Sequence, residues 1–333
     1  MGKLAREDLQ KLLGCIRKDP RVLVPPLPGY DSGVHFLGDK CMVVATDPCI
    51  DVPEEWFGWL LVHYAASDVA VFGAKPEYCT INLLGPKSTK PEVFQNVMEQ
   101  VCSAAEELGM VVVTGHTGFY GGVSQLIGVC TAYGTVPKEK LIMPGNAKAG
   151  DLILCTKSVG LEVLVNFAFT HKALAQRLFG IQRTEELARL VKCQSCVNEA
   201  LQLAALSGVN SMHDATEGGV VTALNELADA SEVGFKVEMG KIPVSKEAWR
   251  LGDHFKLSVP QVLAMSSTGT ILAAVNPEDK SKVEEALRRN GVPASFIGNF
   301  TKNKTRILAR SDGNSAFPQT ADDPYSKIMS LKF

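Results

Sequence analysis

Four aspartates occupy strand ends and turns: Asp31 in "YDSG", Asp47 in "ATDP", Asp68 in "ASDVAVFGAKP" and Asp214 in "HDATEGG". A carboxylate in an interior-facing loop is costly unless it is paired, hydrogen-bonded or metal-bound. Two of them ~4 Å apart repel by roughly 4 kcal/mol at an effective dielectric of 20. If the four converge, Mg2+ is the natural guest, because it takes a few carboxylates together with phosphate oxygens. Backbone amides of the glycine-rich turns at 115–122 and 218–219 would then hold the phosphates. A lone aspartate at a strand end serves equally well as a cap or turn residue. Spacing alone leaves both readings open.

Other chemistries are excluded by pattern. In "VVVTGHTGFYGGV", residues 111–123, the glycines fall at 115, 118, 121 and 122, and a strand rather than a helix follows. That is not the G-x-G-x-x-G of a dinucleotide fold. "GPKST" lacks the glycine spacing of a Walker A loop, and neither H-E-x-x-H nor G-x-S-x-G occurs. Of nine cysteines only Cys193 and Cys196 form a C-x-x-C, with no second pair and no histidine pair to complete a zinc site. They lie in "TEELARLVKCQSCVNEALQLAALSG", which reads as one long helix with a buried face. Cys49 sits in "TDPCID" beside two aspartates, and because a carboxylate neighbourhood disfavours the thiolate, no nucleophilic role is expected there.

These residues need elements to hold them. "KCMVVATDP", "EYCTINLLG" and "VSQLIGVCTAYGTV" read as strands, and "MVVVT" as a strand that ends where the glycine-rich loop begins. "DVPEEWFGWLLVHYAASDVAVFG" reads as a helix with Asp51 as its N-cap. "KPEVFQNVMEQVCSAAEELG" is a well-marked helix, with Val93, Val97, Val101 and Ala104 on one face and Gly109 at its end. Near 145, "PGNAKAGDLIL" resets the composition. There follow strand "DLILCTK", two helices, the turn "MHDATEGG", helix "VVTALNELADAS", and strands "FKVEM", "TILAAV" and "TRILAR" around the helix "PEDKSKVEEALRRNG". From Ser311 the chain is polar and is expected to drape over the surface. The class is α/β (α+β) in two domains, 1–147 and 148–310, with a tail over 311–333.

At 46% hydrophobic and 21% charged residues with net charge −2, the 333-residue chain has an ordinary core and little surface field. Neither a nucleic-acid platform nor a membrane contact is expected. "MGKLAREDLQKLLGCIRK" is a charged amphipathic helix without a signal-peptide core, and Arg6 breaks the myristoylation pattern, so a cytoplasmic protein is expected.

The run "YDSG", "ATDP", "ASDVAVFGAKP", "VVTGHT", "AGDLILCTKSVGLEV" and "HDATEGGVVTALNELA" resembles the aminoimidazole ribonucleotide synthetase (PurM-like) superfamily, in register from about 25 to 310. That group also holds selenophosphate synthetase, thiamine monophosphate kinase and the hydrogenase maturation protein HypE, and the chain resembles HypE and its AIR synthase-related cousins. The resemblance implies an N-terminal domain that dimerises through its sheet. It implies ATP phosphates and Mg2+ held by Asp31, Asp47, Asp68 and Asp214. Thr114, Gly115, His116 and Thr117 in one stretch, and Thr216, Gly218 and Gly219 in the other, would border the nucleotide.

Two departures stand out. His116 replaces a family aspartate, so it brings no negative charge to a magnesium–polyphosphate site. Thr268 in "MSSTGTIL" falls where HypE has a glutamate, and no cysteine follows Cys196, whereas HypE carries its reacting group on a C-terminal cysteine. HypE-type cyanide chemistry is therefore not expected. The resemblance implies an ATP- and Mg2+-dependent enzyme that activates an oxygen of a small substrate by phosphoryl transfer. The alternative is a catalytically reduced nucleotide-binding regulator or maturation partner.

Overall fold

In the computed structural model, which describes Leu4 and residues 6–330, the β-branched runs of the first half form a six-stranded sheet. Its strands are β1 (Val22–Val24), β2 (Gly33–Leu37), β3 (Lys40–Cys49), β4 (Tyr78–Gly85), β5 (Val111–Phe119) and β6 (Ile127–Pro137). Their order is β1-β2-β3-β6-β4-β5. All neighbours run antiparallel except β4 and β5, which are parallel and joined by the helix Pro91–Leu108. That helix begins on a proline and ends at Gly109 in the left-handed conformation, as the sequence pattern predicts. With the helix Phe57–Val71 this sheet makes one compact unit, Lys18–Pro26 and Asp31–Leu141.

The helix Phe57–Val71 is apolar all round and almost wholly buried, and it packs on β3 and β6. It starts later than its sequence pattern indicates. A 3-10 turn at Glu54–Trp56 precedes it, and Asp51 sits at φ +58 and accepts a hydrogen bond from Gln125 instead of capping the helix. β6 alternates strictly between buried and half-buried residues, so the helices cover one face and leave the other partly open.

The second unit comprises Met1–Arg17, Leu27–Tyr30 and Ile142–Phe333. Its described part includes the helix Arg6–Leu13; Met1–Lys3, Ala5 and Leu331–Phe333 of the sequence reading lie outside the described residues. Seven strands follow: β7 (Leu152–Thr156), β8 (Val209–Asp214), β9 (Gly234–Glu238), β10 (Ile271–Val275), β11 (Ala294–Thr301), β12 (Arg306–Arg310) and β13 (Gly313–Ala316). They form one sheet in the order β13-β12-β9-β11-β7-β10-β8. "MHD" is thus the end of β8 rather than a turn, and more helices than the two expected lie between β7 and β8.

The long helix read across the C-x-x-C is broken. It runs Ile181–Ala188, tightens to 3-10 over Arg189–Gln194, and resumes at Val197–Ala204. The cause is Lys157, whose ammonium donates to the carbonyls of Cys193 (2.8 Å), Ser195 (2.6 Å) and Gly269 (2.9 Å) and pairs with the buried Glu199 carboxylate. Two of those carbonyls are thereby aimed away from any continuing helix. The final stretch also departs from expectation. Instead of draping, it adds β13 to the sheet and buries Phe317, Tyr325 and Ile328. The apolar side chains among its polar residues pay for the ordering.

Gly134 in β6 gives a direct test of the packing at the β6 end near Lys75. A Cβ there would lie 1.9 Å from the Lys75 carbonyl oxygen, which is backbone and cannot swing aside. Gly134→Ala should cost about 1–3 kcal/mol of stability in urea denaturation. An unchanged midpoint would show that the Lys75 loop yields freely.

Candidate functional site

In the first unit, the in-register pairing of four strands decides which side chains meet. Asp47 pairs with Cys130, Cys130 with Ile81, and Ile81 with Gly115, so these four share one face. At β3 and β6 that face is the one the helix Phe57–Val71 packs on, whereas Gly115 on the edge strand is exposed. Asp68 lies in the last turn of this helix and is 6% exposed. The Ser32 hydroxyl donates to the Asp68 carbonyl at 2.9 Å, which pins the loop carrying Asp31 to the same turn. The fold thus brings the Asp31 loop to Asp68 and sets Asp47 on the face their helix covers.

His116 is placed otherwise. The row Pro48, Val129, Asn82 and His116 runs along the opposite, partly open face. Its ring Nε2 lies 2.5 Å from the Tyr120 hydroxyl. The stretch Thr114–Thr117 is also not a loop, because β5 continues to Phe119 as the edge strand. The turn begins only where the Tyr120 amide donates to Gly85. Gly115 is required by close approach, since a Cβ would lie 2.2 Å from the Ile81 carbonyl oxygen. Thr114 and His116 face one way, Gly115 and Thr117 the other. The same register exposes a feature that sequence reading missed. Thr46, Thr131, Thr80 and Thr114 form one row across β3, β6, β4 and β5, and the Thr131 hydroxyl donates to that of Thr46 at 3.0 Å. The four are scattered between positions 46 and 131, so no local pattern signals them.

In the second unit, Asp214 closes β8 opposite Ile271 and is buried. The His213 ring beside it is buried too. Its Nδ1 lies 2.8 Å from the Asp214 carbonyl, and its Nε2 lies 3.1 Å from the Glu226 carboxylate. The chain then turns through Thr216, whose carbonyl accepts the Gly219 amide, into the helix Gly219–Ala230. Gly218 and Gly219 have φ of +79 and +51. A Cβ on Gly218 would lie 2.0 Å from the Thr222 hydroxyl oxygen, and one on Gly219 2.4 Å from the Met265 carbonyl oxygen. Only glycine fits at either place. The Gly218 amide, expected to face a phosphate, donates at 2.9 Å to the carboxylate of Asp323. Thr268 is buried in the neighbouring loop, and its hydroxyl donates at 2.5 Å to the Glu162 carboxylate. A carboxylate therefore does stand beside Thr268, supplied by the helix Leu161–Thr170.

Two of the buried cysteines, Cys155 and Cys130, are held as thiols. Burial pushes the Cys155 thiol up to about 12. A hydrogen bond with Cys79, and then burial, raise that of Cys130. In the folded protein at pH 8, an alkylating reagent should modify the exposed Cys15 and Cys102 and leave Cys155 untouched until denaturant is added. Rapid native-state labelling of Cys155 by peptide mass mapping would contradict this packing.

The chain is 28% identical to a hydrogenase expression/formation protein of Methanocaldococcus jannaschii, with 90% of this chain and 88% of the relative covered. It is 26% identical to the selenide, water dikinase of Carboxydothermus hydrogenoformans, with 93% and 95% covered. Its fold is similar to that of the hydrogenase maturation protein HypE crystallised in complex with ATP, with a TM-score of 0.72 and 19% identity over 94% of this chain and 91% of that one. The model of the AIR synthase related protein N-terminal domain matches residues 29–136, and that of its C-terminal domain matches 148–309. The two units with their mixed sheets are the PurM-like architecture, and the chain belongs to the AIR synthase-related family.

Proposed function

We propose that the protein is an ATP- and Mg2+-dependent enzyme that activates an oxygen of a small substrate by phosphoryl transfer. The observation that carries the reading is the position of Asp68, buried in the last turn of the helix Phe57–Val71, with the Asp31 loop fastened to that turn. A carboxylate there meets the negative end of the helix dipole as well as the cost of burial. A divalent cation offsets both. Asp31, Asp47 and Asp68 are the proposed magnesium ligands in the first unit, and Asp214 is the one proposed in the second. Thr114, Gly115, His116 and Thr117, with Thr216, Gly218 and Gly219, are the proposed nucleotide contacts. A selenide, water dikinase is among the relatives and an ATP complex among the similar folds, which supports this choice of cofactor. The resemblance puts Thr268 where HypE has a glutamate, so cyanide-forming chemistry is not part of the proposal.

The protein is further proposed to be a homodimer through the first unit. Its edge strand β5 leaves Val111, Val113 and Phe119 at least half exposed, and an uncovered apolar edge calls for a partner strand or sheet. Sedimentation at micromolar concentration should give a dimer, and Val113→Lys should weaken it; a wild-type monomer would end this part of the proposal.

A second reading is favoured by one specific observation. His116 adds no charge and lies on the face opposite Asp47, which suits a protein that binds nucleotide without turning it over. Calorimetry and ADP release separate the two. Wild-type protein should bind ATP only with Mg2+ and release ADP. Asp68→Asn should weaken binding by about tenfold or more, roughly 1.4 kcal/mol, while leaving the apo melting temperature unchanged or higher because a repulsion is relieved. Binding without ADP release selects the regulator. No ligand response, together with earlier melting of Asp68→Asn, would make the acids structural and remove both readings.

A further inference from the structure

The C-terminal segment carries a contact that no surface tail needs. The Asn225 side chain donates to the carbonyls of Pro318 (2.9 Å) and Gln319 (3.2 Å). Six residues beyond Gln319, the buried Asn166 amide donates to the Tyr325 hydroxyl at 3.0 Å, and the His171 ring meets the Met329 carbonyl at 3.1 Å. Ile328 completes the second anchor in the core. Between the anchors lies Asp323, half-buried, with both carboxylate oxygens engaged. Oδ2 accepts from the Gly218 amide at 2.9 Å and from the Ser266 hydroxyl at 2.5 Å, while Oδ1 accepts from the Tyr325 amide at 2.9 Å.

We propose that Asp323 is a built-in competitor for the Gly218 amide, so that the stretch 320–324 is an autoinhibitory strap that must lift before an anionic phosphoryl group can be held there. This rests on the nucleotide reading above and adds its regulation. A carboxylate and a phosphoryl group present the same chemistry to this position: anionic oxygens, satisfied by one N–H, one hydroxyl and the positive end of the 12-residue helix Gly219–Ala230. Gly218 has a single N–H, and it cannot serve both. The next amide of the turn, that of Gly219, is already given to the Thr216 carbonyl at 2.9 Å. The anchors at 318–319 and 325–329 need not break, so the opening is local and reversible. While the strap is closed the intrinsic affinity is divided by the ratio of closed to open forms, and removing the carboxylate removes that factor.

The experiment uses the full chain and magnesium with a non-hydrolysable ATP analogue. Calorimetry on wild type, Asp323→Ala and the isosteric Asp323→Asn should show tighter binding in both variants, about tenfold for Asp323→Ala. Hydrogen exchange should show the Tyr325 amide, protected in the free wild type, exchanging faster once the analogue saturates it, with residues 326–329 unchanged. Two results together would overturn the strap: variants that bind no more tightly than wild type, and a Tyr325 amide that stays protected in the saturated complex. Asp323 would then be only a cap on the helix at Gly219. If Asp323→Ala fails to fold, Asp323→Asn and the wild-type exchange decide. If wild type and variants alike give no binding heat, the nucleotide reading falls and the strap falls with it.

Discussion

The register of β6 between β3 and β4 governs the first unit. Side chains along a strand alternate between faces, so a slip of one residue would turn every one of them over. The pairs Asp47–Cys130 and Ile81–Cys130 place an acid on the face that the helix Phe57–Val71 covers. That helix can lie there only because the covered face is closely fitted: at Gly128 a Cβ would lie within 2.9 Å of both Leu61 and Phe57. Burying Leu60 and Leu61 completely contributes about 1.5–3 kcal/mol each. The same contact carries Asp68 into the interior on the final turn. Hydrophobic packing thus holds a carboxylate where water would otherwise compete for it.

The second unit depends on a different device, a set of loops tied by single polar side chains. Lys157 gathers three carbonyls from two distant segments, and its own backbone takes a left-handed φ of +51 to do so. An unpaired ammonium would not survive there, and Glu199 balances its charge. The loop Ser266–Thr270 is then fixed on three sides. Ser267 donates from its backbone to Ala215, Thr270 accepts from Ala215, and the Ser267 hydroxyl caps the Gly160 amide. This rigid loop is what presents Ser266 to Asp323 and Thr268 to Glu162. Segments 158–163, 213–219, 264–270 and 323–325 meet in one place although the sequence separates them widely.

Local signals in the sequence determined a good deal. Proline and glycine punctuation marked the helix Pro91–Leu108 at both ends, because the left-handed Gly109 has no side-chain penalty. β-branched runs marked β3, β4, β6, β7 and β10, and the glycines of "ATEGG" marked a turn into a helix. The mix of strands and helices in both halves gave away the α/β class, and the order of short motifs identified the family. What the chain could not express locally was decided by tertiary partners. The helix through the C-x-x-C breaks because Lys157, nearly forty residues away, takes its carbonyls. Thr114–Thr117 remains strand rather than loop because β4 offers a parallel partner, and no local rule reports a partner. The placement of His116 on the face opposite Asp47 follows from three successive pairings, so it exists only in the assembled sheet. The polar C-terminal stretch read as surface because its apolar residues are few and irregularly spaced. Phe317, Tyr325 and Ile328 find buried positions only once the core has formed, and only then does Asp323 reach the Gly218 amide.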